Sequence, residues 1–266
     1  MLISNRINYY FTRSLQRLGL SDLTVQVGRT ARAIIPNPPL VIKAFTQKQS
    51  RDGLLHDASL ESVLKLVRTA KTFWDVGANI GLYSMLAREA NPELQVVSIE
   101  ASTDFYQTLC RNWQLNPDRW ICLHVAVGDG EGPVNMSRGL RGLDHVLPAS
   151  ELKSQKLQEL RPMMTLDHLA RLVGQDRIDV LKIDVEGLEL PVLKGAAKLL
   201  EAGKIGAIVL EADQHDLRYG SSNSELVSYL ACKNYQLAGG GETGNSQGNC
   251  QVFQASAVSA MAPGHK

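Results

Sequence analysis

Cysteine is scarce: there are four in 266 residues, and Cys110, Cys122, Cys232 and Cys250 form no C-x-x-C pair. That scatter argues against a disulfide framework and a zinc site, and suits reduced thiols in a cytosol. Charge of either sign is not in excess, since 28 Lys plus Arg against 27 Asp plus Glu leave a formal net charge of +1. Without a polybasic field, nucleic acid is not the expected partner. No apolar run reaches about 18 residues, so no segment reads as a transmembrane span. The N-terminus also lacks the continuous apolar stretch of a secretory signal, and a cytoplasmic location is expected.

Acidic residues are missing from positions 1–21, where Ile3, Ile7, Tyr10, Phe11, Leu15 and Leu18 recur at near-helical spacing among Arg6, Arg13 and Arg17. Three readings fit: a helix lying on a membrane surface, a transit peptide, or a helix packed on the core or a second subunit. The third is the plainest, and it makes a homodimer through this extension an expectation. Residues 1–50 read as that helix followed by short extended runs split by Pro36, Pro38 and Pro39. A main domain is expected over residues 51–266.

What is abundant is apolar sequence, 44% of the chain, enough for a sizeable core. "SLESVLKLVRTA" (59–70) reads as a helix capped by Ser59, with Leu60, Val63, Leu64 and Val67 on one face. From Thr72 onward, strand-like runs alternate with helical patterns: FWDV, VVSIE, ICLHVAV, MMTL, DVLKID and AIVLEAD, each followed by a helix or a turn. Such alternation implies a doubly wound, mostly parallel, Rossmann-like α/β sheet of seven strands with helices on both faces. "YQLAGGGETGNSQGNCQVFQA" adds two strand candidates around a Gly-rich connection, a C-terminal antiparallel hairpin. Residues 136–162 interrupt the alternation and read as an insertion over the strands' C-terminal ends.

In an open α/β sheet the ligand sits at those ends, where strand order reverses. Asp75 closes the first strand, and Gly77 and Gly81 permit a tight turn and close approach to a ligand. Glu100 closes the second strand, placed to accept both hydroxyls of a nucleoside ribose. A dinucleotide fingerprint requires G-x-G-x-x-G, but here the sequence is G-A-N-I-G, with Asn79 where the second glycine would approach a pyrophosphate. No G-K-[ST] follows either. An unphosphorylated nucleoside with a polar tail fits better, which points to S-adenosylmethionine.

The blocks "DVGANIGLYS" (75–84), "VVSIEASTDFYQTLCRNWQLN" (96–116), "HVAVGDGEG" (124–132), "MTLDHL" (164–169), "DVLKIDVEGLELPVLKGA" (179–196) and "IVLEAD" (208–213) occur in that order. Together they resemble the FkbM family of S-adenosylmethionine-dependent methyltransferases, within the class I methyltransferase fold. The resemblance implies that Asp75, Gly77, Ala78, Asn79 and Gly81 surround the methionine part of the cofactor. It likewise implies that Glu100 and Ala101 hold the ribose and that Ala126 and Val127 edge the adenine. Ala101 departs from the family's usual proline. The implied reaction is methylation of a hydroxyl on a small molecule, a sugar or a secondary metabolite, with N-methylation its nearest rival. An NAD-dependent oxidoreductase and an inactive methyltransferase fold kept as an interaction partner are the alternatives.

Asp184, Glu211 and His215 follow strand ends and are the candidate bases for the acceptor's proton. Asp184 also shares strand parity with Lys182, its expected ion-pair partner. Glu186 reads as a cap of the next helix, His145 as a remote candidate for the acceptor and His168 as structural. Asp184, Glu211 and Asp213 offer oxygen ligands that suit a divalent metal, but a metal-free site is expected. Trp74, Trp113, Trp120 and Tyr106 read as packing residues rather than a cage for the sulfonium.

Overall fold

A computed structural model describes residues 22–26, 31–36, 58–139, 144–212, 219, 222–241 and 249–256. The helix expected over residues 1–21 lies outside the described residues, as do Asp213 and His215. Strands β1 (Asp22–Gln26) and β2 (Arg32–Pro36) form an antiparallel hairpin. Helix α1 (Ala58–Val67) follows, then β3 (Thr72–Val76), α2 (Leu82–Ala90), β4 (Gln95–Ile99), α3 (Thr103–Leu115) and β5 (Trp120–Leu123). The second half contains β6 (Ala126–Val127), β7 (Gly132–Ser137), β8 (Gln158–Met164), α4 (Leu166–Val173), β9 (Ile178–Ile183), α5 (Glu189–Lys194) and α6 (Ala197–Glu201). It ends with β10 (Ile205–Ala212), α7 (Asn223–Cys232), β11 (Tyr235–Gly241) and β12 (Asn249–Ala255).

The main sheet has seven strands in the order β11-β12-β10-β9-β3-β4-β5. Pairs β10/β9, β9/β3, β3/β4 and β4/β5 are parallel, while β12 runs antiparallel to β10 and β11, as the tail sequence implied. Side chains alternate between two covered faces because successive strand residues point oppositely. Trp74, Val76, Leu181, Ile183, Ile208 and Leu210 pack with Leu169 of α4, Leu193 of α5 and Leu226 of α7. Phe73, Val96, Val180 and Val209 pack with Val63 of α1, Met85 of α2 and Leu109 of α3. The chain proceeds outward from β3 through β4 to β5 and returns to β9 on β3's other side. The switch point therefore lies between β3 and β9.

Three local expectations are corrected. Ser59 lies inside the first turn of α1 rather than ahead of it, buried, with its Oγ 2.6 Å from the Tyr83 hydroxyl. "ICLHVAV" divides into β5, at the edge of the main sheet, and β6, which leaves that sheet. Of "MMTL", only Met163 and Met164 are strand, ending β8 in a separate three-stranded sheet ordered β6-β8-β7, while Thr165 caps α4 and Leu166 begins it, so the ends of the insertion at 136–162 are paired strands. Residues of β8 alternate in exposure, as expected for a sheet with one wet face, and that pattern cannot serve a doubly covered strand. The β1–β2 hairpin is fastened to α3 by two asparagines one helical turn apart. Asn116 Nδ2 donates to the Arg32 carbonyl (2.9 Å), and Asn112 Nδ2 donates to Ile34 (3.3 Å) and Ile80 (2.7 Å).

A polar row crosses the second face of the sheet. Register places Asp75 of β3 opposite Ser98 of β4 on one side and Lys182 of β9 on the other. The Trp120 indole N–H donates to Ser98 Oγ (2.7 Å), Ser98 Oγ meets Ser84 Oγ (2.6 Å), and Ser84 donates to Asp75 Oδ2 (2.7 Å). Lys182 Nζ donates to Asp184 Oδ2 (3.1 Å), lies 3.6 Å from Asp75 Oδ1 and sits 4.6 Å from the centroid of the Tyr83 ring. Burial opposes the ammonium charge, but Asp184, Asp75 and Glu211 outweigh it and raise the Lys182 pKa above its ordinary value. Both Lys182 and Asp75 are almost wholly buried, and removing one partner leaves an uncompensated charge in the core. Lys182→Met is expected to lower unfolding stability by about 3–5 kcal/mol, and Lys182→Met with Asp75→Asn to recover much of it. Urea unfolding midpoints check this; equal losses in the single and double variants would contradict it.

Candidate functional site

The site grows from two turns in contact. After β3 the chain reverses at Gly77, whose φ of 76° is left-handed and whose α-carbon leaves no room for a side chain. A Cβ there would lie 1.7 Å from the Asp184 carbonyl oxygen in the turn after β9. The N–H groups of Gly77 and Ala78 both donate to the Ile99 carbonyl at the end of β4 (2.9 and 3.0 Å). Asn79, at φ 53°, then directs its N–H to Glu100 Oε2 (2.7 Å), and Ser102 N–H donates to Glu100 Oε1 (2.7 Å). Thus the β3 turn and the β4 turn share one carboxylate. Glu100 is 9% exposed; burial pushes its pKa up to about 7, against the lowering effect of the two N–H donors and Lys182.

A cleft opens over these turns. Its wall includes Gly77 and Asn79, then Glu100 and Ala101, then the apolar strip Val125, Ala126 and Val127, and on the far side Asp184, Val185 and Glu186. Asp184 is 35% exposed there, and its Oδ2 is held by Lys182 from behind. Of the cofactor candidates, Gly77, Asn79, Glu100, Ala101, Ala126 and Val127 are brought together on this wall.

Three others stand behind it. Asp75 is fully buried and turned toward Ser84 and Lys182, so its carboxylate is not on the wall. Ala78 packs in the core, and Gly81 (φ 85°) opens α2, where a Cβ would meet Leu109 at 2.6 Å. The cation beside Asp75 and Asp184 is the Lys182 ammonium. Glu211, at the end of β10, acts on Lys182 through its charge and is not on the wall. His215 lies outside the described residues. Strand parity was the available signal for Asp75: it shares a face with Phe73, as Lys182 does with Val180.

Other wall residues include Asp144 and Val146, which the sequence did not single out, and His145, its remote candidate for the acceptor. Asp144, His145 and Val146 line the cleft, pinned by the Met136–Val146 bridge and by Ser137 N–H donating to the His145 carbonyl (2.9 Å). His145 Nε2 lies 3.0 Å from Glu151 Oε2, and Ser102 Oγ donates to Asp144 Oδ2 (3.0 Å). These residues are thereby tied to the Glu100 turn. Glu186 also joins the wall, with φ 57°. The acid that satisfies this turn is Glu189, whose Oε1 accepts from Val185 and Gly187 N–H (3.1 and 3.2 Å). Trp74, Trp113, Trp120 and Tyr106 are absent from the wall, where Phe105 is the aromatic residue present.

Residues 75–237, more than half of the chain, match the family described as the methyltransferase FkbM domain. Among curated proteins the chain is similar to methyltransferase sdnD of Sordaria araneosa, 29% identical over 151 residues that cover 46% of this chain and 58% of that protein. It is also similar to hexuronic acid methyltransferase AglP of Haloferax volcanii, 26% identical over 179 residues that cover 66% and 68%. The chain thus spans less than two thirds of the first of these relatives and just over two thirds of the second. Solved structures of similar fold include M. capricolum TrmK with S-adenosyl-homocysteine, at 12% identity, 74% and 66% coverage and a TM-score of 0.43. M. jannaschii TYW2 with AdoMet is another, at 11% identity, 89% and 87% coverage and a TM-score of 0.44. The family match covers the turns that build the cleft. The chain belongs to the FkbM family of S-adenosylmethionine-dependent methyltransferases.

Proposed function

We propose that the chain transfers a methyl group from S-adenosylmethionine to a hydroxyl of a small molecule, a sugar or a secondary metabolite. The observation that carries this reading is the buried Glu100 carboxylate on the cleft wall: each oxygen takes one backbone N–H and keeps a further lone pair for a ligand hydroxyl. The naming of AglP as a hexuronic acid methyltransferase supports a hydroxylated acceptor.

The wall fits the donor piece by piece. Val125, Ala126, Val127 and Ile99 offer an apolar slot for a base, Glu100 and Ala101 suit a ribose, and Gly77 with Asn79 faces the amino-acid tail. Asp75, Ala78 and Gly81 shape that turn from behind. The bound donor supplies an electrophilic methyl group. The chain must align the acceptor oxygen and take its proton, and alignment supplies up to about 7–11 kcal/mol of barrier lowering. Asp184 suits the proton-accepting role because it is on the wall and Lys182 fixes its carboxylate. Glu211 supports Asp184 through Lys182, and His215 is a second candidate for the proton.

Two measurements test these roles. Glu100→Gln is expected to weaken S-adenosylmethionine binding at least about tenfold by calorimetry, since hydrogen bonds to a charged group are worth about 1.5–3 kcal/mol. In the wild type, affinity should rise between pH 6 and 8 as Glu100 ionises through about 7, and the variant should lose that rise. The unliganded fold follows the opposite sign: a carboxyl raised above its unfolded value stabilises at acidic pH, and this contribution is lost as pH climbs toward 7. Parallel pH profiles of affinity in the two proteins would refute the ribose role. Second, methyl-labelled donor mixed with metabolite fractions is expected to yield a methyl ether. Asp184→Asn should lower that transfer by about 10²–10⁴-fold with donor affinity within about threefold. A methylated nitrogen as the product would contradict the hydroxyl assignment.

A further inference from the structure

We propose that Cys110 and Cys122 form a reversible disulfide, a thiol-modification site that fastens helix α3 to the edge strand β5. All four cysteines are free thiols. Two flanking contacts fix where this pair sits. The Trp113 indole of α3 donates to the Trp120 carbonyl (2.9 Å), and seven residues earlier in α3 the Tyr106 ring stacks on His124, just past β5, with centroids 4.1 Å apart. Helix α3 therefore descends as β5 climbs. Seven helical residues cover about 10 Å and four strand residues about 13 Å, so the two contacts keep step. Cys110 stands between Tyr106 and Trp113 at helical spacings of four and three, on one face with both. Cys122 stands midway between Trp120 and His124 at the strand period of two, and it packs with Tyr106 against the cluster that holds Leu109 and Trp120. The middle of the helical run thus meets the middle of the strand run. At that point the Tyr106 hydroxyl donates to the Cys122 carbonyl (3.4 Å) and also interacts with the Cys110 thiol.

The other two cysteines stand apart. Cys232 ends α7, which packs on the opposite face of the sheet, and Cys250 of β12 is buried beside Ser62. Cys110 and Cys122 are both half-buried, which leaves access for a small oxidant. Burial, with Cys110 beside it, pushes the Cys122 thiol up to about 12, so the first attack is assigned to Cys110. Its sulfur displaces one thiol from a low-molecular-weight disulfide and forms a mixed disulfide; the Cys122 sulfur then attacks Cys110, and the second thiol leaves. The pair gives up two electrons and two protons, and the oxidant takes them to become two thiols. Once Cys110 is in the mixed disulfide it carries no charge, so its opposition to a Cys122 thiolate disappears. The finished bond closes a short loop and restricts the unfolded chain, which stabilises the fold.

Peptide mapping of the full chain by mass spectrometry tests this. After incubation with oxidised glutathione, the wild type is expected to yield a cross-linked peptide pair joining Cys110 to Cys122, which dithiothreitol separates. With glutathione removed, the oxidised wild type should also show a higher urea unfolding midpoint than the reduced protein. In Cys122→Ser the reaction is expected to stop with glutathione on Cys110, and neither Cys122→Ser nor Cys110→Ser should gain in midpoint. No cross-linked pair, a bond through Cys232 or Cys250 instead, or a glutathione adduct that persists on Cys110 of the wild type would overturn the proposal. So would a midpoint that the Cys110–Cys122 bond leaves unchanged or lowers.

Discussion

The cleft depends on one buried cation. Lys182 rises from the central strand β9 against Asp75 of the neighbouring strand β3 and holds Asp184 at the far side of the switch point. Taking an ammonium and a carboxylate out of water costs several kcal/mol each, so the pair is tolerated only with close partners and further hydrogen bonds. Those come from Ser84, Ser98 and the Tyr83 ring, which couple helix α2 to the same face. The result fixes two strand ends side by side, and Gly77 lets their turns meet without a side chain between them. Electrostatics at the back of the sheet thereby sets geometry at the front.

A second link runs through Glu100. Glu100 is shared by the turns after β3 and β4, and Ser102 passes the connection on to Asp144. Thr103 extends it, since its N–H donates to Glu159 of β8 (2.9 Å) and Arg161 donates to its hydroxyl (2.6 Å). The small sheet β6-β8-β7 is therefore fastened to the start of α3. Asp144 and His145 lie beside that sheet, next to the Met136–Val146 bridge, and line the cleft.

Much of this was legible in the sequence because it follows short-range rules. Alternation of strand and helix gave the parallel sheet, and acids at strand ends marked Glu100 and Asp184, since ligands of such sheets gather at the carboxyl ends. What stayed hidden depends on partners far along the chain. Asp75 looked like a wall residue until register with Lys182 turned it inward. Glu186 and Glu189 are both acids near a helix start, and only the bonds from Val185 and Gly187 separate the one that satisfies the turn from the one on the wall. Asp144 and Val146 reach the cleft beside a bridge between Met136 and Val146, a pairing with no local signature. "MMTL" has strand composition, but composition does not say which sheet a strand joins.

The account stands or falls on where the donor lies across these two turns. A crystal structure of the chain with S-adenosylhomocysteine tests this most directly. The proposed site predicts both ribose hydroxyls within hydrogen-bond distance of the Glu100 carboxylate, the base against Val125, Ala126 and Val127, and the amino-acid tail at Gly77 and Asn79. A ligand bound elsewhere, or a ribose held by other residues with Glu100 bonded only to its own backbone donors, would contradict it.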